Sequence, residues 1–230
     1  MIGGLLYKEW VKTRWAVLLL SLLGLGVVGY ALLSLERIVS VRGVSHLWEV
    51  LLSKDVLLLD ALKYQPILCG LVLAVVQWAP EMVQKRLKLT LHLPLPLERI
   101  AFVMLTYGVL MLGLFFLVEM LILWGYLSSI LAPELVTHLL VSVGPWFLAG
   151  WGMYGVTTWV VVEPTWRGRL LCMLVSYGVC CLYFVTTTPR AYQDLLCEMG
   201  LWSVLLCYVA ILSIYRFKEG VQLSLIHISE

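Results

Sequence analysis

Six long stretches of this chain carry almost no charge, and that pattern constrains the fold more than any motif does. They are Trp15–Leu35, Tyr64–Pro80, Ile100–Pro133, Leu135–Val162, Leu170–Pro189 and Met199–Tyr215, the third broken only by Glu119. A helix crosses a bilayer core, about 30 Å thick, with about 20 mostly apolar residues. Inside hydrocarbon a helix pairs its backbone N–H and C=O groups within itself, which extended or irregular chain cannot do. Composition agrees: 62% of the 230 residues are hydrophobic and 13% are charged, against about 25% charged in soluble domains. A soluble globular domain, a disordered chain and a nucleic-acid binder are thereby excluded. The expectation is an all-α polytopic membrane protein with six transmembrane helices, at 15–35, 64–80, 100–128, 138–162, 170–188 and 199–215. The third stretch is read as one long tilted span, since no Pro or charge pair marks a turn near its middle.

Orientation follows from Lys and Arg in the connecting segments. With the N-terminus inside, Lys8, Lys12, Arg14, Lys85, Arg86, Lys88, Arg99, Arg167, Arg169, Arg216 and Lys218 are cytoplasmic, and Arg37, Arg42, Lys54, Lys63 and Arg190 are outside. That split of 11 to 5 predicts two cytoplasmic termini. Trp15–Leu35 exceeds the 7–15 residues of a signal-peptide core and is read as a retained span.

Three connecting segments have helical patterning of their own. Residues 1–14 place Ile2, Leu6 and Trp10 on one face and Lys8, Glu9 and Lys12 away from it, predicting an interfacial helix with its lysines against anionic lipid. In 36–63, Leu47, Trp48, Leu51, Leu52, Val56, Leu59 and Leu62 recur at helical spacing, predicting an outer amphipathic helix that either shapes a gate or simply packs. Between the second and third spans, Pro80 and Glu81 are good helix-opening residues. Val83, Leu87 and Leu91 then repeat every four residues beside Lys85, Arg86 and Lys88, until Pro94 and Pro96 intervene. Local pattern leaves this segment, 81–92, either a short amphipathic helix or a basic topological anchor.

Chemistry-bearing residues are few. Glu119 is the acid well inside a predicted span; it lines a translocation path, pairs with His138 or a neighbouring subunit, or reaches the outer headgroups. The six cysteines form no CxxC, and the histidines have no metal-ligand spacing. Gly144, Gly150, Gly152 and Gly155 point to close helix approach, and the ten tryptophans suit interfacial belts. Neither HExxH nor GxSxG occurs. No enzymatic activity is expected of the chain.

A basic amphipathic start (LLYKEW), two spans, then a Glu-led basic segment running into a Pro-containing turn (PEMVQKRLKLTLHLPLPLERI) resembles an ABC-2-type transporter permease. Glu81, Arg86, Lys88, Leu89, Leu91 and Pro94 carry the motif, about twenty residues long, and the six-span layout matches across the chain. The short Arg190–Glu198 segment departs from relatives with re-entrant helices there, and the size is similar to small permeases of haem export, copper-site assembly or peptide export. The resemblance implies a permease of the exporter kind that couples ATP hydrolysis in a separate ABC nucleotide-binding subunit to translocation, in a bacterial inner membrane. It implies a second permease, identical or related, as partner within the lipid bilayer. It makes 81–92 the coupling helix, with Glu81, Val83, Lys85, Arg86, Leu87, Lys88 and Leu91 at the ATPase. No GxxxxGK[ST] occurs, so ATP and Mg would belong to the partner, with no cofactor in this chain. The competing reading is a non-transporting scaffold or assembly subunit.

Overall fold

Proline and β-branched residues punctuate an otherwise uninterrupted helical pattern. A computed structural model describes residues 2–53, 59–83, 96–186 and 190–226, and the regular structure in them is all helical. The helices are α1 (Ile2–Ser53), α2 (Gln65–Val83), α3 (Leu97–Ile130), α4 (Pro133–Val162), α5 (Trp166–Leu182) and α6 (Leu196–Ile226). Short 3-10 turns at Asp60–Leu62 and Gln193–Leu195 precede α2 and α6. Extended Pro96 leads into α3, Pro133 takes the first turn of α4 with Glu134 beside it, and the Thr165 side chain caps α5 by accepting from Gly168 N.

Five stretches are long and apolar enough to cross a membrane: Ile2–Val41, Asp60–Val83, Leu97–Ile130, Pro133–Val162 and Gln193–Arg216. They make the protein a multi-pass helical membrane protein. The expected fifth span, 170–188, is the exception, because α5 has 17 residues, or about 26 Å at 1.5 Å per residue. Val185, Thr186, Thr187 and Thr188 follow, then Pro189; β-branched side chains and the residue before a proline both disfavour continued helix. Where the helix stops, the Tyr192 hydroxyl donates to Leu182 O (3.1 Å) and accepts from Thr186 N (3.2 Å). One phenol thus serves backbone groups that another helical turn would have paired.

Cross-helix contacts fix the direction of each pass. The start of α1 meets the end of α2 through Lys8 and Glu81, and Thr13 meets Tyr107 near the start of α3. Glu36 meets Tyr126 at the opposite end. Gly144 of α4 lies against Leu196 at the start of α6, and Glu163, just after α4, meets Ser213 near its end. Tyr215 meets Glu98. The chain therefore alternates up and down, and the start of α1 and the Tyr215 region of α6 share one end of the bundle, here the proximal end.

Two boundaries differ from the sequence expectation. The segment 1–14 is no separate interfacial helix: α1 continues from Ile2 to Ser53 without a break. No Pro lies in that range, and strong helix formers span the junction at Arg14–Trp15. Pro80 does not open a new helix either, because α2 runs through it to Val83 and carries Glu81 into the bundle. A proline near a helix end leaves one carbonyl in the last turns without its N–H partner, a modest loss where the ladder is ending anyway. Of the expected outer amphipathic helix, 36–53 continues α1, while Leu59 and Leu62 are buried. The stripe residues Leu47, Trp48, Leu51, Leu52 and Val56 lie outside the described side chains.

Helix α4 is the axis of the bundle, with 67% of its most apolar window buried against 28% for α1 and 17% for α6. Glycines allow this. A Cβ on Gly70 of α2 would fall on the Gly150 carbonyl oxygen of α4, and one on Gly155 would lie 2.7 Å from Cys207 N and Cα of α6. Backbone sits against backbone at both places, as small residues permit between membrane helices. Leucines such as Leu22, Leu114 and Leu174 face outward, where lipid tails are as apolar as they are.

Gly70→Ala is expected to destabilise the folded chain in detergent by about 1–3 kcal/mol, because the obstructing atoms are backbone and cannot swing away. Gly26 has nothing within 4 Å of an added Cβ. Gly26→Ala should be neutral or stabilising by up to about 1 kcal/mol from helix propensity. Thermal unfolding of the two variants side by side checks the contrast.

Candidate functional site

Polar groups inside the bundle gather at two levels. At the proximal end, Lys8, Glu9 and Lys12 lie within two turns of α1, and Lys8 and Lys12 share a face because residues four apart are neighbours on a helix. That face meets the last turn of α2. Glu81 Oε1 receives Lys8 Nζ at 2.9 Å and Lys12 Nζ at 3.1 Å, while Lys12 Nζ also donates to Glu9 Oε1 at 2.8 Å. Both carboxylates are fully buried, and the Lys12 side chain is 11% exposed. Two acids and two bases thus tie α1 to α2.

Neutral hydrogen bonds extend the tie to α3 and α4. The Thr13 hydroxyl donates to Glu9 O (2.9 Å) and shares a bond with the Tyr107 hydroxyl (2.6 Å). Gln77 Nε2 donates to Met104 O and Gln77 Oε1 accepts from Tyr154 OH, both at 2.8 Å. Beside this network, Leu5, Trp78, Ile100, Met104, Leu105 and Val162 form a dry apolar cluster. Glu163, 2% exposed, closes the same end by accepting from Ser213 of α6 and Thr165. Arg169 Nε donates to its backbone oxygen at 2.7 Å, and Arg216 stands 3.9 Å from its carboxylate.

Further along the bundle, Glu119 of α3 is fully buried and accepts from Gln65 Nε2 of α2 at 2.8 Å. Helix α1 passes directly over this pair at Gly24, where a Cβ would collide with Glu119 Oε1 and lie 2.9 Å from Gln65 Nε2. Phe115 of α3 lies against the same point of α1, with its ring 5.6 Å from Phe116, which is edge-on to Phe147 of α4 at 5.2 Å between centroids.

The expected site residues fall in three places. Glu119 lies in the core at the α1–α2–α3 junction. Glu81 is inside, bound to α1, and Val83, the last residue of α2, is 80% exposed. Lys85, Arg86, Leu87, Lys88 and Leu91 lie outside the described residues, with most of the expected coupling helix. The expectation sets Lys8 and Lys12 against anionic lipid and Glu9 off the apolar face; Glu9 and Lys12 turn inward instead, while Ile2, Leu6 and Trp10 are exposed. Sequence reasoning passed over Gln65 and Gln77. Their signal was an amide within an apolar span, where an unpaired polar group is costly and a partner on another helix is the usual remedy. Among the described residues no group of three or more His, Cys, Asp or Glu is placed to hold a metal ion.

Fold and polar interior define the class as a multi-pass helical membrane protein with a charge-paired core. No family model, no curated protein and no solved structure matches the chain.

Lys12 is the shared partner of two buried carboxylates, so Lys12→Met should destabilise by about 3–5 kcal/mol, the cost of stranding buried charge. Lys8, with a side chain 34% exposed, should cost about 0–1 kcal/mol when changed to Met, as an exposed ion pair does. Thermal unfolding of both purified variants reads the difference.

Proposed function

We propose that the chain is the membrane-spanning permease subunit of an ATP-driven transporter of the ABC-2 type, an exporter whose ATP is hydrolysed by a separate nucleotide-binding subunit. The observation that carries this reading is the clamp of Lys8 and Lys12 on Glu81. It sits in the last turn of α2, directly before the basic segment that holds Lys85, Arg86 and Lys88. A partner that docks on that segment and moves it displaces α2, and the buried ion pairs pass the displacement to α1. Work done by ATP outside the membrane then reaches the spans as a shift of packed helices, which needs no nucleotide site in this chain.

Charge placement supports an orientation. Lys8, Lys12, Arg99, Arg169 and Arg216 belong to the proximal end, through contacts of their own or of a residue beside them. Basic residues collect on the cytoplasmic side of membrane proteins. The proximal end is therefore the cytoplasmic one, in a bacterial inner membrane, with both termini there and the ATPase beneath. A second permease, a copy or a relative, completes the transporter. Val83, Leu87 and Leu91 supply an apolar edge to the docking segment, and the basic residues beside it meet acidic groups of the ATPase.

The test is co-purification of the chain with the nucleotide-binding subunit that this reading requires. Leu87→Asp should remove most of the ATPase from the detergent-solubilised complex while the permease still inserts, since buried apolar anchors dominate interface energy. Reversing Lys88 should mainly slow association and sharpen its salt dependence. The purified chain alone should hydrolyse no ATP. A full complement of ATPase on Leu87→Asp would leave the segment a topological anchor and favour the scaffold reading.

A further inference from the structure

The hydrogen-bond inventory around Glu119 does not close without one more hydrogen. Gln65 has two amide hydrogens, and its Nε2 already serves Glu119 Oε1 at 2.8 Å and Cys69 Sγ at 3.5 Å. Two acceptors remain buried and without a donor: Gln65 Oε1 and Glu119 Oε2. Gln65 is 5% exposed and Glu119 fully buried, so bulk water does not reach them. Leaving such acceptors unserved is costly, more so when one of them is charged.

Turning the amide over does not remove the need. Oxygen and nitrogen of a Gln side chain are assigned from their partners. In the reversed orientation the amide oxygen faces the carboxyl oxygen at 2.8 Å, and two acceptors at that separation require a hydrogen between them. In that orientation the hydrogen belongs on Glu119, and in the first a hydrogen on Glu119 Oε2 turns an orphan acceptor into a donor.

The surroundings favour a neutral acid. Among the described residues no cation forms an ion pair with Glu119. Helix α1 presents Gly24, and α3 presents Phe115 at the same point. On α2 the titratable neighbour is Cys69, itself fully buried. An ionised carboxylate among such groups has no countercharge among the described residues, an expensive state within a membrane.

We propose that Glu119 and Gln65 form a proton-binding site in the interior of the bundle, with Glu119 carried as a neutral carboxylic acid whose O–H is donated to the Gln65 carbonyl. The proton is taken from water and returned to water, and the O–H bond of Glu119 is the one that forms and breaks. Its loss leaves a carboxylate against an unserved carbonyl where α1 crosses at Gly24, so deprotonation loosens the α1–α2–α3 junction. The site is independent of any ATPase partner.

Infrared spectroscopy of the purified chain in lipid nanodiscs tests this. The probe is the proton itself, read through the C=O stretch of a protonated carboxyl at mildly acidic pH and followed as the pH is raised. The wild-type chain should show a band for one buried carboxylic acid that disappears in Glu119→Gln, whose amide mimics the neutral acid in shape and keeps the fold. In Gln65→Leu, which removes the acceptor, the band should move to higher frequency. If that variant fails to fold, the comparison of wild type with Glu119→Gln still decides. A band that survives Glu119→Gln belongs to another carboxyl and overturns the assignment. Absence of the band across the pH range in which the chain stays folded means an ionised Glu119, balanced by a small cation or not, and overturns it equally.

Discussion

A charge against lipid tails has no solvent to turn to, and in this chain the remedy at the proximal end is the Lys12 ammonium. It stands between Glu9 and Glu81, two carboxylates that would otherwise face each other or hydrocarbon. Because Lys12 and Glu9 are on α1 and Glu81 is in the last turn of α2, satisfying the charges also settles how the two helices are registered. Thr13, Gln77, Tyr107 and Tyr154 then build on that register, each reaching across to a different helix. Without a strong hydrophobic force between membrane helices, paired polar groups of this kind select one arrangement among several of similar apolar packing.

The same constraint explains what was legible in the sequence and what was not. Apolar stretches announced themselves, because length and lack of charge are local properties. Close helix approach at Gly150 and Gly155 was legible too, since glycines in an apolar span let a neighbouring backbone come near. The facing of 2–14 was not. In water, Ile2, Leu6 and Trp10 would turn inward; here they are exposed and Glu9 is fully buried. Periodicity reveals that a helix has two faces without saying which one meets the protein, and the medium decides that.

Glu119 shows the limit from another side. The sequence marks it as an anomaly in a span, but the partner that gives it meaning, Gln65, lies 54 positions away on another helix. Gly24, on a third, is set by the same contact. Such a site is a property of three helices crossing, and no single segment carries its pattern. The polar tie at the proximal end was hidden for the same reason, with Lys8 and Lys12 separated from Glu81 by a whole span and its return.

The short α5 has a further consequence for the surrounding bilayer. Its 17 helical residues reach about 26 Å, less than a hydrocarbon core of about 30 Å. The neighbouring α4 has 30 residues and exceeds that thickness even when tilted. A hydrocarbon core that meets α5 over its helical length alone has to thin or draw its headgroups inward to match it, while the longer helices can match it by tilting. The shallow stretch of such a core lies beside Leu170, Leu174 and Tyr177, which all face outward.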